Sequence, residues 1–345
     1  MEQADMTNNA TSSALQRVLS SKLASHAGSI VRVSGWLHKK RELGAITFAI
    51  LRDRHGLMQV VIQDRDQLEC LRSAHVGSIL SIIGEVVAEP RAIGGAELQA
   101  TELTIDALVE EPPPIEIDKP LSHSPETLHT LLEWRVLGIR NVAEMGLWRA
   151  QATIGDAIRD YLRSLDFVEF HSPKLLAEAT EGGAEVFKLP YFGRQATLAQ
   201  SAQFYKQIMV GSLERVFEFG ATYRAEQSVM ARHMTEFTTV DVEMGFINSF
   251  QEILELIESL ICHTVDEVWK IRAQELSALG AVRPRLTEKF PRVPLRELHE
   301  LCFCETGEDF RDEIRLRLRS GGYANMRAKN GAAKPCLLPN FRAAR

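Results

Sequence analysis

The stretch from Arg215 to Phe246 reads RVFEFGATYRAEQSVMARHMTEFTTVDVEMGF. It parses as strand, loop, strand. Arg224 and Glu226 stand two apart at the end of the first strand, so they share a face. Arg232 and His233 fall in the loop. In the second strand a period of two sets Phe237, Thr239, Asp241 and Glu243 on one face, and Glu236, Thr238, Val240 and Val242 on the other. An arginine, an aromatic ring and two carboxylates on one face make a poor hydrophobic core and suit a nucleotide held with a metal. A solvated strand face laced with ion pairs would use the same residue types, and spacing alone does not separate the two. Two shorter clusters accompany it: QSAQFYK (Gln200–Lys206) and ATEGG (Ala179–Gly183). Gly182 and Gly183 permit close backbone approach around Glu181, although ATEGG by itself reads as a turn.

Such groups need a framework to position them, and 345 residues supply roughly two domains of ~150. With 45% apolar and 25% charged residues, the composition is that of a soluble globular protein, which excludes disorder for most of the chain. No apolar run approaches the ~18 residues that span a bilayer, so no membrane association is expected. The opening MEQADMTNNATSS lacks an apolar core for a secretory signal, and a cytoplasmic location is expected. Cys70, Cys262, Cys302, Cys304 and Cys336 are scattered and odd in number, which fits a reducing compartment rather than a disulfide framework. The net charge of −6 is uneven: from Arg311 to Arg345 there are nine Lys/Arg against two Asp/Glu. A chain of net negative charge can still bind RNA through a local basic face.

Residues 1–27 read as a polar leader with a short helix. Residues 28–110 hold five β-rich runs, Ile30–His38, Ile46–Leu51, Leu57–Gln63, Ile79–Ala88 and Glu97–Val109, each bounded by turn residues, with a helix over Asp66–Ser73. That is the pattern of a small all-β barrel of the OB type. Residues 111–126, EPPPIEIDKPLSHSPE, are too proline-rich for a helix and read as a linker. Over 127–310 the spacing predicts a helix at Trp148–Leu165, strands at Phe167–Phe170, Leu189–Ala199, Arg215–Arg224 and Glu236–Phe246, and a one-faced amphipathic helix at Glu252–Trp269. The expected fold is α+β with an antiparallel sheet. Residues 311–345 show neither period nor cap and read as a basic tail.

Taken together, these segments resemble a class II aminoacyl-tRNA synthetase of the aspartyl type. GWLHKKRELGAITFAILRDRHGLMQVVI (Gly35–Ile62) resembles the anticodon-binding OB domain, and EWRVLGIRN (Glu133–Asn141) continues the match. The helix–strand–Pro unit ending at Pro173 resembles motif 1, the dimer-interface motif. ATEGG and QSAQFYK resemble the aspartate-binding loops, and YRAEQSVMARHMTEFTTVDVEM (Tyr223–Met244) resembles motif 2 of the archaeal and eukaryotic-like type. The resemblance implies ATP and L-aspartate as substrates, Mg²⁺, tRNA(Asp) as partner and a homodimer. It implies that Arg224 contacts the ATP α-phosphate and the substrate carboxylate, Glu226 the adenine amino group and Phe237 the adenine ring. Arg232 and His233 would hold the outer phosphates beside Met234, and Glu243 the Mg²⁺. Glu181 and Asp241 would hold the ammonium of aspartate, while Gln203 and Lys206 read its side chain. His38, after GWL, resembles the histidine of non-discriminating members, which also charge tRNA(Asn); Ile93 lies where a proline or lysine tunes anticodon choice in relatives.

Two departures stand out. Ala202 replaces the proline usual in QSAQFYK. After Phe290–Phe310 (FPRVPLRELHELCFCETGEDF) the resemblance stops, and the glycine-rich motif 3 with its ATP-binding arginine is not recognisable. The expectation is therefore a C-terminally truncated synthetase with an incomplete sheet. The competing readings are a non-catalytic tRNA-binding remnant, an asparaginyl-tRNA synthetase, and an amidotransferring enzyme that activates aspartate; the OB domain argues against the last.

Overall fold

The structure is a computed structural model that describes residues 15–119, 126–179, 185–225, 234–287 and 290–306. The start of the polar leader and the basic tail lie outside these residues.

Strands β1 (Ile30–Leu43), β2 (Ile46–Arg52), β3 (Leu57–Ile62), β4 (Ile79–Ala88) and β5 (Ala96–Ala107) close into a barrel in the order β1-β2-β3-β5-β4. Helix α1 (Arg65–Arg72) joins β3 to β4. Alternate residues point inward, as a period of two requires: Val31 and Val33, Ala49 and Leu51, Met58, Val60 and Ile62, Leu80 and Ile82 all lie in one buried cluster. The OB expectation holds. Strand β1 runs beyond His38 because that residue forms a bulge, with the register stepping between Leu37 and Lys39, and pairing resumes through Leu43. Gly84 is obligatory at a second irregularity, since a Cβ there would come 2.1 Å from the Gln99 carbonyl oxygen.

Asp53 locks the β2–β3 turn to the 3-10 turn Ser20–His26. Its carboxylate accepts from the Ser20 N–H (2.6 Å) and hydroxyl (2.7 Å) and from the N–H groups of His55 and Gly56. Burial alone would raise its pKa; the hydrogen bonds from Ser20, His55 and Gly56 outweigh burial and hold it below the ordinary value. A lowered folded-state pKa contributes stability above the unfolded pKa of about 4, and that stability is lost as pH falls through the folded value. Asp53→Asn is expected to cost about 1–3 kcal/mol at pH 7 and to flatten the acid limb of the stability profile, as read by urea unfolding at pH 7 and pH 3. An unchanged acid limb would remove Asp53 from this role.

The proline-rich segment is not a free spacer. Ile115 and Ile117 are buried, and Asn141 donates from Nδ2 to the Lys119 carbonyl. Helix α2 (Leu128–Glu133) and a single turn, Arg135–Gly138, follow. Helix α3 (Val142–Ser164) starts six residues before the expected Trp148, because Asn141 caps it through the Ala143 N–H. After α3 come β6 (Val168–Glu169), β7 (Leu175–Leu176), β8 (Lys188–Tyr191), β9 (Arg194–Leu198), α4 (Gln203–Leu213), β10 (Arg215–Tyr223), β11 (Glu236–Met244), α5 (Gln251–Ala278) and α6 (Leu295–Thr306). The expected antiparallel pairing holds for β10–β11, whereas β6 joins β10 in parallel. Strands β7, β9 and β8 form a second small sheet.

Leu162, Phe167 and Phe217 form the core under the main sheet, with Ile158, Val240, Val242, Met244, Leu256 and Leu260 against them. The apolar stripe of α5 is wider than the face it buries: Leu256 and Leu260 pack inward, while Ile253, Ile257 and Ile261 are exposed.

Candidate functional site

The core fixes which face of β10–β11 remains for chemistry. Val240, Val242 and Met244 are committed to it, so Phe237, Thr239, Asp241 and Glu243 face the other way, as the spacing predicts. The antiparallel register sets Thr222 opposite Phe237, Gly220 opposite Thr239, Glu218 opposite Asp241 and Val216 opposite Glu243. The Thr222 and Thr239 hydroxyls meet across the strands at 2.7 Å.

QSAQFYK is not a loop. It runs into α4, with the Ser201 hydroxyl accepting the Gln203 N–H at 3.1 Å. Tyr205, Met209 and Val210 pack on Phe170, Ala202 and Val216, which lays α4 across the open face of the sheet. That placement aims Lys206 at the carboxylates. Its Nζ lies 3.4 Å from Asp241 Oδ1 and 3.4 Å from Glu243 Oε2, and its side chain is 13% exposed. Asp241 also accepts from the Ala202 N–H at 3.4 Å, a donor that a proline at that position would lack. Gln203 sits half-buried in the first turn of the same helix.

Arg224 follows β10 directly. Its backbone N–H donates to the Thr235 carbonyl at 3.0 Å, and its guanidinium carbon lies 5.5 Å from the centre of the Phe237 ring. Its Nε is buried and has no hydrogen-bond acceptor among the described residues. The Ala225 N–H donates to the Glu185 carbonyl at 2.9 Å, which ties the chain just after the ATEGG segment to the Arg224 end of the sheet. Glu181, Glu226, Arg232 and His233 lie outside the described residues. Met234 is exposed just before β11.

Sequence reasoning missed Glu218. It is 3% exposed and accepts from the Ser172 N–H (2.7 Å), the Ser172 hydroxyl (2.7 Å) and Lys174 Nζ (2.8 Å). The available signal was a glutamate inside the apolar run Val216–Phe219. Glu218 fastens the segment around Pro173 to the strand pair opposite Asp241.

Among the described residues no three His, Cys, Asp or Glu side chains gather as a metal cage. Asp241 and Glu243 are two carboxylates on one open face. That fits Mg²⁺, which takes one or two carboxylates and completes its shell with substrate phosphates and water.

In the barrel, His38 occupies the β1 bulge. Burial lowers its pKa from the ordinary value; Asp118 opposes that, and Arg52 and Lys39 reinforce it. Ile93 is exposed in the β4–β5 connection. Among the described residues no helix is long and apolar enough to cross a membrane.

A closed OB barrel is thus joined to a strand pair that sets Lys206 against two carboxylates and carries Arg224 over Phe237 at its end. The sequence matches the family model described as tRNA synthetases class II (D, K and N) over residues 127–335, and that described as OB-fold nucleic acid binding domain over residues 31–106. The chain belongs to the class II tRNA synthetase family. It is 37% identical to an aspartate–tRNA(Asp/Asn) ligase of Deinococcus radiodurans, over 84% of this chain and 65% of that protein. It is also 37% identical to the aspartate–tRNA(Asp/Asn) ligase of Thermus thermophilus, over 90% of this chain and 72% of the relative. The chain thus spans about two thirds of the length of these relatives. Among solved structures it is similar to the asparaginyl-tRNA synthetase of Pyrococcus horikoshii complexed with asparaginyl-adenylate, with a TM-score of 0.75 and 28% identity over 86% of this chain and 70% of that one.

Proposed function

We propose that the chain is an aspartate–tRNA ligase, which activates L-aspartate with ATP and transfers it to tRNA(Asp), and to tRNA(Asn) if its anticodon reading is non-discriminating. The observation that carries the choice of amino acid is Lys206, a largely buried cation held between Asp241 and Glu243. Once Asp241 takes the substrate ammonium and Glu243 the Mg²⁺, the Lys206 ammonium is left for a second carboxylate, and the neutral amide of asparagine would bring it no charge. The names of the Deinococcus and Thermus relatives support the same reading. Activation of asparagine is the second reading, favoured by the likeness to the Pyrococcus structure. Lys206 counts against it.

In the first step the α-carboxylate of aspartate attacks the α-phosphorus of ATP. An O–P bond forms, the bond to pyrophosphate breaks, and aspartyl-adenylate results. In the second step a ribose hydroxyl at the tRNA terminus attacks the acyl carbon, and AMP leaves. No side-chain nucleophile is needed; the protein positions reactants and neutralises charge. Arg224 spans the α-phosphate and the substrate carboxylate, which its planar fork suits. Its buried Nε, without an acceptor among the described residues, is a donor available to such an anion. Phe237 stacks on adenine, with Glu226 on the adenine amino group. Arg232 and His233, with Met234 beside them, hold the outer phosphates. Asp241 and Glu181 take the ammonium, and Gln203 orients the side-chain carboxylate on Lys206. Glu243 would hold Mg²⁺, which supplies charge neutralisation on the phosphates when bound. The helix–strand–Pro unit ending at Pro173 serves a homodimer.

Amino-acid-dependent ATP–pyrophosphate exchange tests this. Aspartate is expected to support exchange at least about 100-fold better than asparagine. Equal exchange with asparagine would overturn the choice of amino acid. No exchange from folded chain that still binds tRNA would leave a binding module.

A further inference from the structure

Where the barrel meets the catalytic domain, three arginines converge without a carboxylate partner among the described residues. Arg52, at the end of β2, is only 7% exposed. Its guanidinium lies 4.7 Å over the Trp36 ring, and its one hydrogen bond among the described residues is to the Met145 sulfur at 3.0 Å, a weak acceptor. Arg149, two turns into α3, donates to the Arg54 backbone carbonyl. The Arg140 side chain, just before the α3 cap, makes no hydrogen bond or ion pair among the described residues. Among the described residues none of the three takes part in a salt bridge. The nearby Glu144 is committed elsewhere, pairing with Arg135 at 2.6 Å. Burial, then the charges of Arg140 and Arg149, lowers the Arg52 pKa from its ordinary value. The N-terminal end of α3 adds its own positive potential. A buried cation without an anion is costly, and three together repel one another, in a chain whose net charge is −6.

We infer that Arg52, Arg140 and Arg149 form a phosphate site that spans the two domains and takes a backbone phosphodiester of bound tRNA between its anticodon and acceptor ends. The inference rests on the tRNA-binding half of the proposed function. The barrel supplies Arg52 and α3 supplies Arg140 and Arg149, so one phosphate touches both domains. RNA bound only at the anticodon face of the barrel would not need it. Guanidinium groups suit phosphate oxygens through paired N–H donors. Free inorganic phosphate shares that chemistry, and the test separates the two.

The test uses the full chain and the variants Arg140→Gln, Arg149→Gln and the double substitution. Binding of a tRNA(Asp) transcript and of its isolated anticodon stem-loop is measured across a salt series. For the full tRNA, the slope of log K against log salt is expected to fall by about 1 per arginine removed. Stem-loop binding and aspartate-dependent pyrophosphate exchange, which needs no tRNA, should keep their wild-type values. An unchanged slope for the full tRNA, with stem-loop binding intact, would overturn the phosphate site and leave the proposed function standing. Equal losses for stem-loop and full tRNA would also overturn it. Wild-type chain that exchanges pyrophosphate yet binds neither RNA would overturn both this site and the tRNA half of the function. Inorganic phosphate that raises the wild-type melting temperature, with no change in the tRNA slope, would assign the site to a small anion and overturn the RNA reading. Arg140→Gln, which breaks no bond, should leave the melting temperature unchanged or raise it by relieving repulsion. A fall of several degrees would mark the cluster as structural and overturn the site.

Discussion

Lys206→Met is expected to raise the KM for aspartate on the order of 100-fold in pyrophosphate exchange, while the KM for ATP stays within a few-fold. The size follows from truncating one side of a largely buried charge pair, which costs about 3 kcal/mol. Lys206 is the only cation that the described structure sets against both Asp241 and Glu243. Without it, the substrate's second carboxylate would meet two protein carboxylates and no compensating charge. The discrimination between aspartate and asparagine should narrow at the same time, because asparagine never used the ammonium. Met preserves the length and apolar stem of the side chain, so the packing of α4 on Phe170 and Val216 is retained. An aspartate KM within threefold of wild type would show that the side-chain carboxylate is read elsewhere.

Arg224→Ala is expected to lower kcat/KM for exchange by a factor on the order of 10²–10³, the usual effect of deleting one donor aimed at developing charge. Arg224→Lys should recover little of this. An ammonium is a point charge and cannot span a phosphate and a carboxylate as a planar guanidinium does, nor stack on Phe237 in the same way. Rescue by Lys to within about fivefold would reduce the role of Arg224 to bulk charge. Neither substitution should change the tRNA binding proposed for the barrel.

Most of the barrel was legible because its strands obey a period of two between strong turn residues. Strand β4 coincides with its expected limits, Ile79 to Ala88, since Leu80, Ile82 and Val86 alternate inward along the run. The bulge at His38 was not legible: a polar run, KKREL, continues pairing only because β2 offers it a partner. The alternation of β11 separated its two faces as expected, and the core on Val240 and Val242 takes one of them. Helix α4 was hidden because its start, Gln200–Gln203, carries no apolar period, and its stability comes from tertiary contacts of Tyr205 and Met209. The early start of α3 could have been read from Asn141, a good cap placed before a long run of helix formers. Glu218 could not be assigned from sequence, because its partners Ser172 and Lys174 lie 46 and 44 residues away.

The burial of Ile115 and Ile117 limits how this barrel can be exchanged with those of its relatives. A chimaera spliced within the proline-rich segment would strip two apolar side chains from their seats and separate Lys119 from the Asn141 side chain that caps α3. Crossovers placed before residue 110 would carry the strap with the catalytic half and keep the helix start intact. Recombination, natural or engineered, should therefore favour breakpoints on the barrel side of the prolines, and the segment should travel as part of the catalytic unit.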